Sequence, residues 1–133
     1  MAIQLSTAVR NARLDAIETT IGTSAVLKIR TGAPPADVAT ADSGTVLASI
    51  TCPSDWAAAA SSGAKAKSGT WQDTSADATG TAAHFRLYAS DGTTAHMQGT
   101  VGLGSGDLSL DNTSIASGQV VTISTFTLTD ANA

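Results

Sequence analysis

From Ser24 onward, apolar and polar residues alternate along the chain, and turns rich in glycine or proline separate the alternating stretches. Residues 25–29 and 46–50 have the period-two pattern of half-buried strands, and we expect their apolar side chains to face inward. Pro34 and Pro35 mark a loop between these two strands, because proline cannot lie in a central strand. The pattern predicts a mainly β fold, either an antiparallel β-sandwich or a jelly-roll-like barrel.

One segment ahead of this region has a helical period instead. Ser6 is a suitable N-cap, and Gly22 stands where a C-terminal cap would fall. An apolar stripe of period 3.6 lies between them: Val9, Ala12, Leu14, Ala16, Ile17 and Ile21. The opposite face is predicted to carry the charged residues: Arg10, Arg13, Asp15 and Glu18. We therefore predict an N-terminal helix in residues 1–22 and a single β domain in residues 23–133. The helix either packs on its own domain or docks on a neighbouring subunit.

The composition predicts a thin core. The chain has 133 residues, the length of one domain, and 42% of them are hydrophobic. Alanine supplies 25 of those residues, and a buried alanine removes little surface from water. A domain of this kind gains stability by burying further surface against copies of itself or against a partner.

Charge and cysteine content exclude several classes of protein. The net charge is −4, whereas a DNA-binding module needs a basic face. The single cysteine, Cys52, excludes an internal disulfide and a multi-cysteine zinc site, and we interpret it as a small buried residue rather than a nucleophile. The N-terminus lacks the pattern of a signal peptide, and no apolar run is long enough to span a membrane. We expect a product that is soluble and made in the cytoplasm, with no nucleic-acid or membrane partner.

Both histidines, His84 and His96, lie on a predicted hairpin and raise the question of a metal or catalytic site. A three-residue loop, residues 90–92, with Gly92 left-handed would place Phe85 opposite Met97 and Leu87 opposite Ala95 on a dry face. The predicted wet face then has three opposed pairs: His84 with Gln98, Arg86 with His96, and Tyr88 with Thr94. Because Arg86 repels a cation and no third ligand lies on that face, we expect a structural hairpin without metal.

Other candidate sites are weak. The glycine-rich residues 101–107 match no phosphate-binding motif and favour a tight hairpin loop. Asp107, Asp111 and Asn112 could bind calcium, but solvated strand ends explain them as well. Trp56 and Trp71 are interpreted as core residues rather than ligand platforms. The sequence thus predicts no catalytic residue, no cofactor and no metal, and it indicates a protein that is not an enzyme.

Three long stretches carry a resemblance to a known family: "LSTAVRNARLDAIETTIGTSAVLKIRTGAPP", "SGTWQDTSADATGTAAHFRLYASDGTT" and "LDNTSIASGQVVTISTFTLT". They resemble small, uncharacterised virion proteins encoded by tailed bacteriophages and prophages, and the likeness spans nearly the whole chain. The resemblance implies a structural component of the particle, such as a capsid decoration, collar or tail-appendage protein. It implies no active-site residue.

Two functions follow from these observations. The first is a virion structural protein that binds its own copies and the capsid, collar or tail. The second is a β-sandwich module that binds carbohydrate on the host surface, through Trp56, Trp71, Tyr88, Asp107 and Asp111. The C-terminal residues 119–130 predict one long strand with few charges to guard its edge, which favours a homo-oligomer. The resemblance favours a trimer.

Overall fold

The computed structural model describes residues 3–132, which form one helix and eleven short strands. The helix, α1, spans Thr7–Ile21. The strands are β1 (Val26–Arg30), β2 (Val46–Thr51), β3 (Ala64–Ala66), β4 (Trp71–Asp73), β5 (Gly80–Thr81), β6 (His84–Tyr88), β7 (Ala95–Leu103), β8 (Leu108–Leu110), β9 (Ser114–Ile115), β10 (Val121–Ile123) and β11 (Thr127–Thr129).

The main sheet has five strands in the order β2-β1-β6-β7-β8. Its pairs are antiparallel except β7 with β8, which run parallel. Three two-stranded antiparallel sheets complete the β structure: β10 with β4, β11 with β3, and β5 with β9. The fold is therefore mainly β, with a curled, predominantly antiparallel sheet of the sandwich or barrel kind and one N-terminal helix, as predicted.

Alternation along β1 places its apolar residues on one face of the main sheet. Leu27 lies between Ile50 on β2 and Leu87 on β6, and the next inward residue along β1 is Ile29, which lies opposite Phe85. All five side chains are buried. These cross-strand rows fix the register, since a slip of one residue would turn each apolar side chain outward. The predicted inward face of residues 25–29 is confirmed. In residues 46–50, Ala48 and Ile50 lie on the same face as Leu27 and Ile29, whereas Leu47 is buried on the other face.

A chain of aromatic rings joins the main sheet to β4 and to the segment between β10 and β11. The ring centroids of Trp56 and Trp71 are 6.1 Å apart, and those of Trp71 and Phe126 are 5.7 Å apart. Phe126 also meets Phe85 of β6 edge-on at 5.7 Å. Large rings bury much area per residue, which compensates for the many alanines of this core.

The caps of α1 are confirmed. The Ser6 side chain accepts a hydrogen bond from the Val9 amide at 3.2 Å, and Gly22 follows the last helical residue with φ 90°. Leu14 and Ile21 are buried and Ile17 is half-buried, but the other predicted members of the stripe, Val9, Ala12 and Ala16, are exposed and do not belong to it.

Asp15 and Glu18, predicted on the face opposite the apolar stripe, contact their own domain, whereas the Arg13 side chain is 60% exposed. The Nζ atom of Lys65, on β3, lies 2.8 Å from Asp15 and 2.7 Å from Glu18, and the Lys65 side chain is 2% exposed. Arg10 donates to the Asp130 carbonyl at 3.1 Å. A buried ammonium needs carboxylate partners, and this requirement turns the helix. Docking of α1 on a neighbouring subunit stays a prediction.

The C-terminal residues do not form the single long strand that was predicted. They divide into β10, which pairs with β4, and β11, which pairs with β3. Between them, Phe126 is 7% exposed and packs into the aromatic chain. The two short strands thus each gain a partner within the chain on one edge.

The glycine-rich residues 101–107 form a double reversal instead of the predicted tight hairpin loop. The chain turns back after Leu103 and then turns again, so that β8 runs parallel to β7. A Cβ atom at Gly102 would lie 2.7 Å from the Ser105 carbonyl oxygen, and Gly106 has φ 79°. Both positions require glycine.

Leu87→Ala tests the inward face of β6. Leu87 is 1% exposed, and truncation of such a residue costs about 2–5 kcal/mol of unfolding free energy. Urea unfolding measures the change, with Leu103→Ala as the control because Leu103 is 64% exposed. A loss under about 0.5 kcal/mol, typical of surface sites, would place Leu87 outside the core.

Candidate functional site

The β6–β7 hairpin keeps the predicted inward face but shifts the register by two residues. Leu87 lies opposite Met97, where Ala95 was predicted, and Phe85 lies opposite Gly99. Ala89 donates its amide proton back to the Thr94 oxygen only after a loop of four residues, one more than predicted. A bulge at His96 adds one further residue to β7. Beyond the bulge the shift is even, so Met97 stays on the inward face, whereas Ala95 lies opposite Tyr88 and not on the predicted dry face.

The tip of this hairpin is fixed by its own side chains. Gly92 is left-handed, with φ 69°, as predicted. The Asp91 carboxylate accepts hydrogen bonds from the Thr94 hydroxyl and from the amides of Thr93 and Thr94, the amide bonds being 2.9 Å long. The Thr94 hydrogen bonds, followed by those from Thr93, hold the pKa of Asp91 well below its usual value.

The other face of β6 is not wet, which corrects the prediction. His84 and Tyr88 are 0% exposed and Arg86 is 2% exposed. The proline-containing segment between β1 and β2, residues 31–45, folds over them; we call this segment the cover loop. Its backbone and its Asp42 carboxylate meet all three side chains. Alternation in a sequence looks the same whether a polar side chain faces water or a folded loop.

Asp42 is the centre of the contact between the cover loop and the sheet. Its Oδ1 atom lies 2.6 Å from Arg86 Nη1 and accepts a hydrogen bond from the Tyr88 hydroxyl at 2.7 Å. Its Oδ2 atom lies 2.9 Å from Arg30 Nη2. Arg30 also donates to the Tyr88 oxygen at 3.2 Å. We call these four residues, Arg30, Asp42, Arg86 and Tyr88, the clamp.

Arg86 extends the clamp into the backbone of the cover loop. Its Nη2 atom donates to the carbonyl oxygens of Asp37, Val38 and Thr40 at 3.1, 2.9 and 2.9 Å. Its Nε atom donates to the Gln98 side chain at 3.1 Å, and Gln98 in turn donates to the Pro35 carbonyl at 2.7 Å. The carbonyl dipoles help to compensate the surplus positive charge of two arginines around one carboxylate.

The contacts within the clamp shift the pKa values of Asp42 and Tyr88. Partial burial would raise the pKa of Asp42, but the hydrogen bonds from Arg86 and Tyr88 and the charge of Arg30 outweigh it and hold that pKa below its usual value. Burial and the hydrogen bond to Asp42 raise the pKa of Tyr88. Both shifts keep the phenol neutral and the carboxylate charged at neutral pH, the forms in which the phenol donates and the carboxylate accepts.

The two histidines occupy different environments. The Nδ1 atom of His84 lies 2.6 Å from the Gly32 carbonyl oxygen; since a carbonyl only accepts, Nδ1 carries the proton. His96 is exposed on the bulge and lines a groove of about 290 Å³ with Arg13 and Ile17 of α1. Within residues 3–132, no three His, Cys, Asp or Glu side chains converge as metal ligands.

The aromatic residues suggested for carbohydrate binding are in the core. Trp56 and Trp71 are 1% and 0% exposed, and their indole nitrogens donate to the Gly22 and Ser68 carbonyls at 2.9 and 3.1 Å. Tyr88 belongs to the clamp. A sugar stacks on an exposed ring face, which none of these three side chains offers.

The remaining polar candidates have separate roles. Asp107 accepts hydrogen bonds from the amide and the hydroxyl of Thr100 at 2.9 and 3.0 Å. Asn112 accepts from the Ser114 amide at 2.9 Å, while Asp111 is exposed. Cys52 is buried, as expected, and burial raises the pKa of its thiol to about 12. A thiol of that pKa is a poor nucleophile.

Comparison with protein families, with curated proteins and with solved structures gives no match. Among residues 3–132, no helix is long and apolar enough to cross a bilayer. The clamp, which sequence reasoning missed, is the most highly connected polar site that the structure describes. Its charged and polar atoms bind one another and hold the cover loop on the sheet.

His84→Ala and His96→Ala separate the two histidines. Removing His84 leaves the Gly32 carbonyl without its donor and opens a cavity, so we expect a loss of about 1–3 kcal/mol in unfolding free energy. His96→Ala should change it by less than about 0.5 kcal/mol. Chemical denaturation measures both. Equal effects of the two substitutions, or stoichiometric zinc lost on either one, would contradict these assignments.

Asp42→Asn tests the clamp and its pH dependence. The substitution removes the negative charge that pairs with the buried Arg86. Loss of such a partner typically lowers the unfolding free energy by about 3–5 kcal/mol, and we expect about 3 kcal/mol because the Asp42 side chain is 37% exposed. The pKa of Asp42 is lowered in the folded state. The Asp42 charge therefore makes its full contribution to the unfolding free energy above the usual pKa of about 4, and this contribution is lost as the pH falls through the pKa of the folded state.

The measurement is the difference in unfolding free energy between wild type and variant from neutral pH down to about pH 2. We expect that difference to be constant near neutral pH and to shrink in acid. Asp111→Asn serves as the control, because Asp111 is an exposed carboxylate away from the clamp. A difference that does not depend on pH would show that the Asp42 charge does not hold the loop.

Proposed function

We propose that this chain is a structural, non-enzymatic component of a tailed-phage virion. It is made in the host cytoplasm and is then incorporated into the particle, where it binds its own copies and capsid, collar or tail proteins. The family resemblance of the sequence suggests the particle, and the clamp is the observation that carries a structural role. A subunit that repeats in an assembly must present one constant surface. The clamp favours such constancy, because it holds a long loop on the sheet through a connected set of partly buried polar bonds.

The surface of the chain supports association. Within residues 3–132, exposed large apolar side chains include Ile3 at 87%, Leu103 at 64% and Val120 at 53%. Their burial against a partner would add to the stabilisation that an alanine-rich core provides. A closed homo-oligomer is the arrangement we propose, with a trimer favoured by the resemblance. Carbohydrate binding is the weaker alternative, since the aromatic residues suggested for it are buried.

The direct test is whether the protein is part of particles. Particles from the host that carries the gene are purified on a density gradient, and an antibody against this chain is used to quantify it in each fraction. We expect the chain to sediment with intact particles at several copies per particle, while an abundant soluble host protein stays at the top. Recovery of the chain only in the soluble fraction would overturn the proposal.

Self-association has its own test. Light scattering of the purified chain at micromolar concentration should give a mass that is a multiple of the 13.2 kDa chain. A monodisperse 13.2 kDa species that also fails to bind particles would contradict the assembly role. Binding to a glycan array in the absence of particle binding would favour the carbohydrate-binding alternative instead.

A further inference from the structure

Two strands that are not paired with each other border a groove of about 430 Å³. One is β7 and the other is β11, and we call the space between them the β7–β11 groove. Its apolar lining is formed by Phe85, Met97, Phe126 and Leu128. Phe85 and Phe126 are buried, whereas Met97 and Leu128 are half-buried. The groove thus combines an apolar lining with two strands as its sides.

The backbone of β7 faces this groove at Gln98. The Val101 amide donates to the Ala83 oxygen at 2.9 Å, which places residues 97, 99 and 101 in hydrogen-bonded pairs with the β6 side. The alternating residues, Gln98 and Thr100, therefore direct their N–H and C=O groups to the opposite edge. The Thr100 amide already donates to Asp107 there at 2.9 Å and Thr100 does not line the groove, so Gln98 is the position on this edge that can bond to an added strand. Gln98 lines the groove, although its side chain is engaged by Arg86 and Pro35 on the cover-loop face.

The facing edge of β11 is arranged in the same way. Phe126 accepts from the Lys67 amide at 2.8 Å, and Asp130 donates to the Gly63 oxygen at 2.9 Å. Even-numbered residues of β11 therefore bond to β3, and Thr127 and Thr129 direct their backbone groups away from it. Both threonines line the groove. An extended peptide placed between the two edges could bond to strands on both sides, which is how β-augmentation works.

The N-terminal segment, residues 3–5, has the features of such a peptide. Its sequence, Ile-Gln-Leu, alternates apolar and polar residues, as an inserted strand requires. It lies outside the helix and strands, and the Asn132 side chain holds it by accepting from the Leu5 amide at 2.8 Å and donating to the Leu5 oxygen at 3.0 Å. Ile3 is 87% exposed, the most exposed large apolar side chain in residues 3–132, so it does not fill the groove of its own chain.

We propose that the β7–β11 groove accepts residues 3–5 of a second copy of this chain as an added strand, with the Ile3 side chain on the apolar lining. The inference rests on the self-association in the proposed function and names the surfaces that carry it. The contact is head to tail, because segment and groove are different surfaces. Contacts of this kind close into rings when the rotation between copies allows it, which suits a trimer.

Ile3→Asp tests the segment, and Val9→Asp is its matched control, since Val9 is also an exposed apolar residue near the N-terminus. Light scattering over a dilution series measures self-association, and circular dichroism checks the fold. Placing a carboxylate on the apolar lining should weaken self-association roughly tenfold or more. Val9→Asp should leave it unchanged. Equal self-association of Ile3→Asp and wild type would overturn the inference.

Cysteine cross-linking tests the groove in a Cys52→Ala background. Chains carrying Ile3→Cys are mixed with chains carrying Leu128→Cys and oxidised, and a disulfide-linked dimer of the two kinds of chain is expected. The control mixture pairs Ile3→Cys with Val120→Cys, because Val120 is exposed outside the groove. Absence of the mixed dimer would overturn the inference. So would a double variant, Ile3→Cys with Leu128→Cys, that forms only an internal disulfide, because the segment would then fill its own groove.

These outcomes are independent of the particle test. If the wild-type chain sediments with particles but the Ile3→Cys and Leu128→Cys chains form no mixed dimer, the virion role stands and the added-strand contact is overturned. A mixed dimer from a chain that never enters particles would support the contact and overturn the virion role.

Discussion

The pairing of Asp42 with Arg86 is the interaction on which the two-sided burial of the main sheet depends. Arg86 is 2% exposed, and an unpaired arginine at that depth would cost several kcal/mol. The carboxylate that compensates it comes from the cover loop, so the sheet can bury its second face only when this loop is in place. With the loop fastened, β6 is covered on both sides and becomes the centre of the fold.

Where local chemistry decides, the sequence predicts this structure well. Ser6 and Gly22 set the ends of α1 because capping depends on residues within one turn of the helix. The inward face of β1 follows from alternation over five residues, and Leu27 and Ile29 lie where that pattern places them. The helix, the mainly β class and the inward face of β6 all depend on short stretches of sequence.

Where partners lie far apart in the chain, the sequence does not predict the structure. Asp42 is 44 residues from Arg86, and Lys65 is 50 residues from Asp15, so no local pattern signals either contact. Arg86, predicted on the wet face of the hairpin, is therefore buried instead, and the sequence did not predict the clamp. The predicted register of the hairpin was wrong for a different reason. The alternation of apolar and polar residues does not indicate the fourth loop residue or the bulge at His96.

The clamp also connects fold and proposed role, because a cover loop held in one position gives every copy of the chain the same surface. Nuclear magnetic resonance of the arginine side chains tests it most directly. The structure predicts that the guanidinium N–H protons of Arg86 give separate, slowly exchanging signals at neutral pH, since four carbonyl or carboxylate oxygens and Gln98 hold them. These signals should be lost in Asp42→Asn. A single averaged signal in rapid exchange with water in the wild-type protein would contradict the clamp.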